Sequence, residues 1–259
     1  MPWLDHFTSA PPRVRLVKAF ATPMRNTVAT ARTCYSAKGI IADEDVGPPE
    51  RYAPLATSIY EAGHHTTYQH AHFQFTLENV SRQFLWSFLH AHPFYNSEQV
   101  SQRYVAVKAD ALVAPRLEPA AARLYAEAAE RQFAAYRQLC EMLQAPVAEA
   151  YHQRFRPSAR MEKAHARAIG KKAQEIARYV LPVATTAYLY HTVSAITLLR
   201  YWRMASTGDC PLETREVVGE MVAQVLAHDP EYRVMLEAAL EAGAAPEDAH
   251  FAARPEVLE

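Results

Sequence analysis

Residues 63–104 read GHHTTYQHAHFQFTLENVSRQFLWSFLHAHPFYNSEQVSQRY, with six histidines among them. From His70 to Leu77 the pattern alternates strictly. His70, His72, Gln74 and Thr76 share one face, and Ala71, Phe73, Phe75 and Leu77 share the other. That period of two predicts a strand with its apolar face on the core and its polar face free for a site or a subunit contact. Val80 to His90 then changes to helical spacing, with Phe84, Trp86, Phe88 and Leu89 supplying much of the apolar surface. Pro93 ends any helix. Phe94 to Ser101 reads as an ordered loop, because its polar groups need partners.

Working outward, Val14–Phe20 and Thr185–Val193 read as further strands. Helices are predicted at Thr27–Tyr35, Tyr52–Ala62, Leu117–Leu143, Pro146–Arg154, Glu162–Tyr179, Ala195–Met204 and Pro211–Ala227. Gly63 stops the second of these, and Pro146 suits the first position of the fourth. Ile40–Pro49 is a loop, Arg156–Arg160 a turn, and the tail after Pro246 is expected to be loosely held. With no repeat or Gly/Ser linker, residues 1–259 read as a single α+β domain with a mixed or antiparallel sheet and long helices.

The chain has 259 residues, half of them apolar, and a formal net charge of -1. That is enough apolar mass for a sizeable core, and the near-neutral charge gives no reason to expect nucleic acid or an anionic membrane as partner. Six of the 27 basic residues are Lys and 21 are Arg. Arg grips phosphate and carboxylate bidentately, although a GC-rich genome or thermal adaptation accounts for most of such a bias more simply than ligand binding. Cys34, Cys140 and Cys210 lack C-x-x-C spacing, which argues against a disulfide framework or zinc cluster. Residues 1–13 lack the pattern of a signal peptide, and no apolar run approaches membrane-spanning length. A soluble, cytoplasmic protein is the expectation.

Four separated segments resemble, in order, the flavin-dependent thymidylate synthases. They are residues 30–35 (TARTCY), residues 63–75 (GHHTTYQHAHFQF), ENVSRQF with SEQVSQRY, and AQEIARYVLP followed by HTVSAITLLRYW and CPLETRE. The resemblance implies an α+β homotetramer with FAD bound where subunits meet. It also implies methylation of dUMP to dTMP, with methylenetetrahydrofolate donating the carbon, NADPH reducing the flavin and no cysteine nucleophile. By position, His64, Thr66, His90 and Asn96 then fall at the FAD site. Gln99, Ser101, Arg103 and Arg178 fall at the nucleotide site, with Ser101 and Arg178 closest to catalysis. Charge-assisted donors of the Arg type suit a nucleotide phosphate.

The departures cluster where charge matters. The family's Arg-His-Arg triplet becomes Leu89-His90-Ala91, or Ala91-His92-Pro93 if the longer loop is registered on Arg103. Gln69 replaces a Glu, Trp86 a Gln, Ser194 an Asn, Ile196 an Arg and Ala205 an Arg, with Arg200 and Arg203 nearby as substitutes. Two other readings stay open. One is a relative that binds a nucleotide or another ligand without synthase activity. The other is a metal site on the His-x-His pairs His70/His72 and His90/His92, although no Asp or Glu joins either pair. Plainer roles are also open: Arg178 pairing with an acid, His64 capping a helix, and Ser101 and Arg103 as solvated loop residues.

Overall fold

The computed structural model describes residues 3–91, 94–108, 110–206 and 210–236. In chain order the elements are α1 (Trp3–His6), β1 (Arg13–Ala19), α2 (Pro23–Thr33), α3 (Pro49–Glu61), β2 (His72–Ser81), α4 (Arg82–Ala91), β3 (Tyr95–Gln99), α5 (Pro119–Met142), α6 (Gln144–Arg154), α7 (Glu162–Ala177), β4 (Thr186–Ser194), α8 (Ala195–Ser206) and α9 (Leu212–His228). Short 3₁₀ turns lie at Asp43–Val46, His65–Gln69, Ala159–Met161, Arg178–Val180 and Pro230–Tyr232. The sheet has four strands in the order β1-β2-β4-β3. The chain is therefore α+β, as its sequence patterns predict, and it divides into two compact units.

The first unit comprises Pro12–Glu78, Phe84–Glu98 and the chain from Leu189 onward. Its core is the apolar face of the sheet. Phe73, Phe75 and Leu77 of β2 and Leu189, His191 and Val193 of β4 are all buried, as are Phe84, Leu85 and Phe88 of α4. Each fully buried apolar side chain stabilises by roughly 1.5–3 kcal/mol. Helix α9 packs against β1 and α8. Strand β1 lies at a sheet edge, pairs antiparallel with β2, and presents exposed Arg13, Arg15 and Lys18. Edge charges of that kind discourage pairing with another chain.

Helix α3 ends in a Schellman motif. Gly63 sits at φ 76°, its N–H donates to Tyr60 O at 3.0 Å, and the His64 N–H donates to Ile59 O at 3.0 Å. An L residue with a Cβ is strained at that φ, so glycine is required for the turn. Asp229 supplies a cap from far along the chain, accepting the Met24 N–H at 2.8 Å at the start of α2. Arg25 grips Glu231 with two bonds of 3.1 and 3.0 Å, and Tyr52 donates to the same carboxylate.

The second unit comprises the chain up to Pro11, Asn79–Gln83 and Gln99–Tyr188. Here α7 packs on α5 and α6. Ala129, Phe133 and Tyr136 form the buried stripe of α5, at the i, i+4, i+7 spacing of one helix face. Backbone bonds from Arg82 N to Thr185 O and from Val100 N to Tyr188 O, both 2.9 Å, tie the β2/α4 junction and the end of β3 to the β4 segment.

Several sequence expectations are corrected. Residues 95–99 form strand β3 rather than a loop. Both its faces are polar, so no alternation betrays it, and its place at the sheet edge supplies the backbone partners. The central strand begins at His72, not His70, and runs on to Ser81. Trp86 is 69 % exposed and covers no core. Pro146 occupies the third position of α6, which starts at Gln144. Helix α7 stops at Ala177, and Arg178 opens a 3₁₀ turn. His92, Pro93 and the tail after Pro246 lie outside the described residues.

Candidate functional site

The nucleotide-site candidates Gln99, Ser101, Arg103 and Arg178 all fall in the second unit, and two further residues, Arg82 and Glu175, contact members of the group. Arg82, the first residue of α4, donates from Nη1 to Gln99 Oε1 at 2.7 Å and from Nη2 to Val100 O at 2.8 Å. Arg103 Nε lies 3.1 Å from Glu175 Oε1. Arg178 Nε donates to the Glu175 carbonyl at 3.1 Å, which fixes its stem at the end of α7. Ser101 Oγ accepts the Arg103 N–H at 3.2 Å, and its carbonyl accepts the N–H groups of Tyr104 and Val105. The loop is thus a tight turn that presents the serine hydroxyl and a guanidinium together.

The electrostatics of this cluster are unbalanced. Among the described residues Arg103 and Arg178 share the influence of one carboxylate, Glu175, Lys172 also claims it at 3.2 Å, and Arg82 feels the charge of Arg178. Lys172, followed by Arg103 and Arg178, holds Glu175 below its ordinary carboxylate range despite some opposing burial. Burial, and then repulsion from Arg178, pushes Arg82 below the ordinary guanidinium value. Arg82 Nε is buried without a hydrogen-bond partner among the described residues. Cations held together against their own repulsion form a place for an anion, and phosphate or carboxylate matches the planar fork of Arg. Sequence reading passed over Arg82. The signal was its place in SRQF, but its partners lie 17 and 18 residues away, beyond any local pattern.

The flavin-site candidates His64, Thr66, His90 and Asn96 all fall in the first unit. A cavity of about 370 Å³ opens there, lined by Gln69, His72, Phe94, Tyr95, Asn96, Thr192 and Ser194. Asn96 lines it directly. His64 and Thr66 are exposed on the 3₁₀ turn that ends at Gln69, another lining residue. His90 closes α4 instead: it bonds Trp86 O at 2.6 Å through Nδ1, and its ring lies 4.4 Å from the Trp86 ring. Ser194 is held against Thr197 Oγ1 at 3.2 Å, and Thr197 Oγ1 in turn donates to Phe94 O at 3.0 Å. Gln74 donates to Thr192 Oγ1 at 3.1 Å on the same open sheet face.

Among the described residues the cavity walls are amides, hydroxyls, rings and one imidazole, with no Arg or Lys. That donor set fits the carbonyl and N–H edge of a planar heterocycle. It does not fit a diphosphate, which calls for cations. The size is at the lower end of the roughly 300–1,000 Å³ typical of small-ligand pockets, suiting a ring system rather than a whole dinucleotide. A flavin ring therefore fits these residues, while no described residue of this cavity is suited to hold the diphosphate of FAD.

The sequence also gave no signal for His191. It is fully buried among the rings of Phe88, Tyr95 and Tyr201, at centroid distances of 5.0, 5.5 and 5.9 Å. Burial pushes its pKa down to about 3, so the ring is neutral at physiological pH. Its Nε2 meets Tyr201 Oη at 3.4 Å, and its Nδ1 has no partner among the described residues. Among the described residues, no three His, Cys, Asp or Glu side chains converge on a metal position. No described helix is long and apolar enough to cross a membrane.

Comparison with known proteins places these features. The family model described as thymidylate synthase complementing protein matches residues 15–231. The flavin-dependent thymidylate synthase of Nitratidesulfovibrio vulgaris (strain ATCC 29579) is 30% identical over 229 residues, covering 82% of this chain and 86% of its own. That of Clostridium tetani is 27% identical over 216 residues, covering 82% of each chain. Among solved structures, the UMP/dUMP methylase PolB from Streptomyces cacaoi, bound with 5-Br dUMP, superposes with a TM-score of 0.63 at 19% identity over 88% of this chain and 94% of its own. Thymidylate synthase X from Helicobacter pylori, with FAD and dUMP, superposes with a TM-score of 0.59 at 13% identity over 89% and 99%. At those identities the two structures speak for the fold. With the family model spanning most of its length, the chain belongs to the thymidylate synthase complementing protein family.

Proposed function

We propose that this protein is an FAD-dependent thymidylate synthase that methylates dUMP to dTMP. Methylenetetrahydrofolate is the carbon donor and NADPH the reductant. The observation that carries the reading is the grouping of Arg103 and Arg178 at Glu175, with Arg82 bracing the loop that carries Ser101, in a chain whose family match covers residues 15–231. Arg103 and Arg178 bind the nucleotide phosphate. Arg82 holds Gln99 and the Val100 carbonyl in place, so that Ser101 Oγ faces the bound nucleotide. Asn96 reads the ring edge of the flavin from the cavity, and the exposed His64, Thr66 and His90, which lie outside its walls, meet the remainder of the cofactor. Bound FAD supplies the hydride that completes the transferred methyl group.

The cation-free cavity explains why we also propose a homotetramer. The FAD diphosphate needs positive charge that these walls lack, and a neighbouring subunit is the natural source. The proposed location is the cytoplasm. The test is the visible spectrum of freshly purified protein, followed by turnover with methylenetetrahydrofolate and NADPH. UMP should be offered beside dUMP, because one solved relative is a UMP/dUMP methylase. A yellow protein that forms dTMP supports the reading. A colourless protein that takes up no added FAD, yet is stabilised by dUMP, points to the nucleotide-binding relative without synthase activity.

A further inference from the structure

A second and larger cavity, of about 720 Å³, lies within the helical unit between α6 and α7. Its walls are apolar: Val147, Tyr151, Phe155 and Ile176 contribute most of the character. Val147 belongs to a small buried cluster with Ile169 and Ala173, against which Leu143 and Tyr151 pack. The outer wall remains open to water, with Phe155 47% and Ile176 39% exposed. Exposed apolar surface shaped into a concavity of this size is the usual form of a small-molecule site.

The rim is predominantly basic. Arg103, Arg154, Lys171 and Lys172 line the cavity, with Glu175 the one acidic residue among them. Arg103 and Lys172 share that carboxylate, at 3.1 and 3.2 Å. Lys171 Nζ sits 4.5 Å from the centroid of the Tyr104 ring, and the Arg154 guanidinium 5.9 Å from that of Phe155. Among the described residues neither Lys171 nor Arg154 has a carboxylate partner. Cations resting on aromatic faces beside an apolar floor complement a ligand that is apolar at one end and anionic at the other.

We propose that this cavity binds an amphipathic organic anion, an aromatic ring system carrying a carboxylate or sulfonate. The rings lie against Val147, Tyr151, Phe155 and Ile176, and the anionic group meets Lys171 and Lys172. Such a site is separate from the residues proposed for the flavin, and it adjoins the nucleotide cluster through Arg103, Lys172 and Glu175.

The test uses the purified full-length protein and two fluorescent probes of similar ring size. One is the anionic 1-anilinonaphthalene-8-sulfonate, and the other is the uncharged N-phenyl-1-naphthylamine. The sulfonate should bind at one site per chain, more tightly than the neutral probe, and weaken as salt is raised. Lys171→Gln with Lys172→Gln should weaken the sulfonate roughly tenfold, the scale of one lost charged contact, and leave the neutral probe unchanged. Ala150→Trp, at an exposed wall position, should exclude both probes. Thermal melting should show both variants folded; should the tryptophan variant not fold, the lysine variant decides alone. Equal loss of both probes on lysine replacement, undiminished binding in a folded Ala150→Trp variant, or no binding to the wild type because a second copy covers the cavity, would each overturn the proposal.

Discussion

Arg82 Nη1 donates to Gln99 Oε1 at 2.7 Å, so the first residue of α4 holds the last residue of β3. With its second bond, to Val100 O, it fixes the backbone just before Ser101. Replacing Arg82 by Gln should therefore act through the loop. The expected result is a dUMP affinity lower by roughly ten- to a hundredfold, the range of one charged hydrogen bond. Arg82→Lys should recover only part of this, because a point charge cannot span both acceptors. Calorimetric titration with dUMP checks both variants, and an unchanged dissociation constant in Arg82→Gln would remove Arg82 from the site.

Arg103 and Arg178 are proposed to meet the phosphate directly, so their loss should be read in the salt dependence. Arg178→Ala should weaken dUMP binding by roughly tenfold or more and flatten the dependence of affinity on ionic strength. Deoxyuridine, the same nucleoside without the phosphate, should bind the variant and the wild type alike. Equal losses for deoxyuridine and dUMP would show that Arg178 serves folding alone.

His191 makes stability fall in acid. Its pKa in the folded protein is pushed down to about 3 by burial, while an unfolded histidine titrates near 6.5. The unfolded state therefore gains a proton that the folded state refuses. The stability contribution is complete above about pH 6.5 and is lost progressively below it, by about 2 kcal/mol at pH 5. His191→Phe fills the same ring cluster without a titrating group. Its melting temperature should fall less between pH 7 and pH 5 than that of the wild type, and parallel curves would refute the assignment.

Gly63 at φ 76° closes α3 through the two backbone bonds of its Schellman turn. Gly63→Ala should cost about 1–2 kcal/mol, the penalty of a Cβ in the left-handed region. A Cβ there meets no atom within 4 Å, so the loss arises from backbone strain alone. Gly63→Asn should cost less than alanine, since Asn tolerates that region better. Urea denaturation of the three proteins checks the order.

The elements that could be read from sequence are those whose signal is local. Phe73, Phe75 and Leu77 alternate with His72, Gln74 and Thr76 because one face of β2 is buried, and period two follows from the pleat itself. Gly63 announces the end of α3 because only a residue without a Cβ adopts that φ cheaply. Strand β3 escaped because YNSEQ lies at the sheet edge and buries neither face fully, so no periodicity records its pairing.

By itself the sequence determined the order of β1, β2, β4 and helices α2 to α9, the buried face of β2 and the residues that carry the family pattern, since each depends on neighbours a few positions apart. Only the tertiary structure decided that Arg82 braces Gln99, that Glu175 is shared by Arg103 and Lys172, and that His191 is enclosed by Phe88, Tyr95 and Tyr201. Burial and charge balance depend on which distant segments meet. A guanidinium or an imidazole acquires its chemistry from those neighbours rather than from its place in the chain.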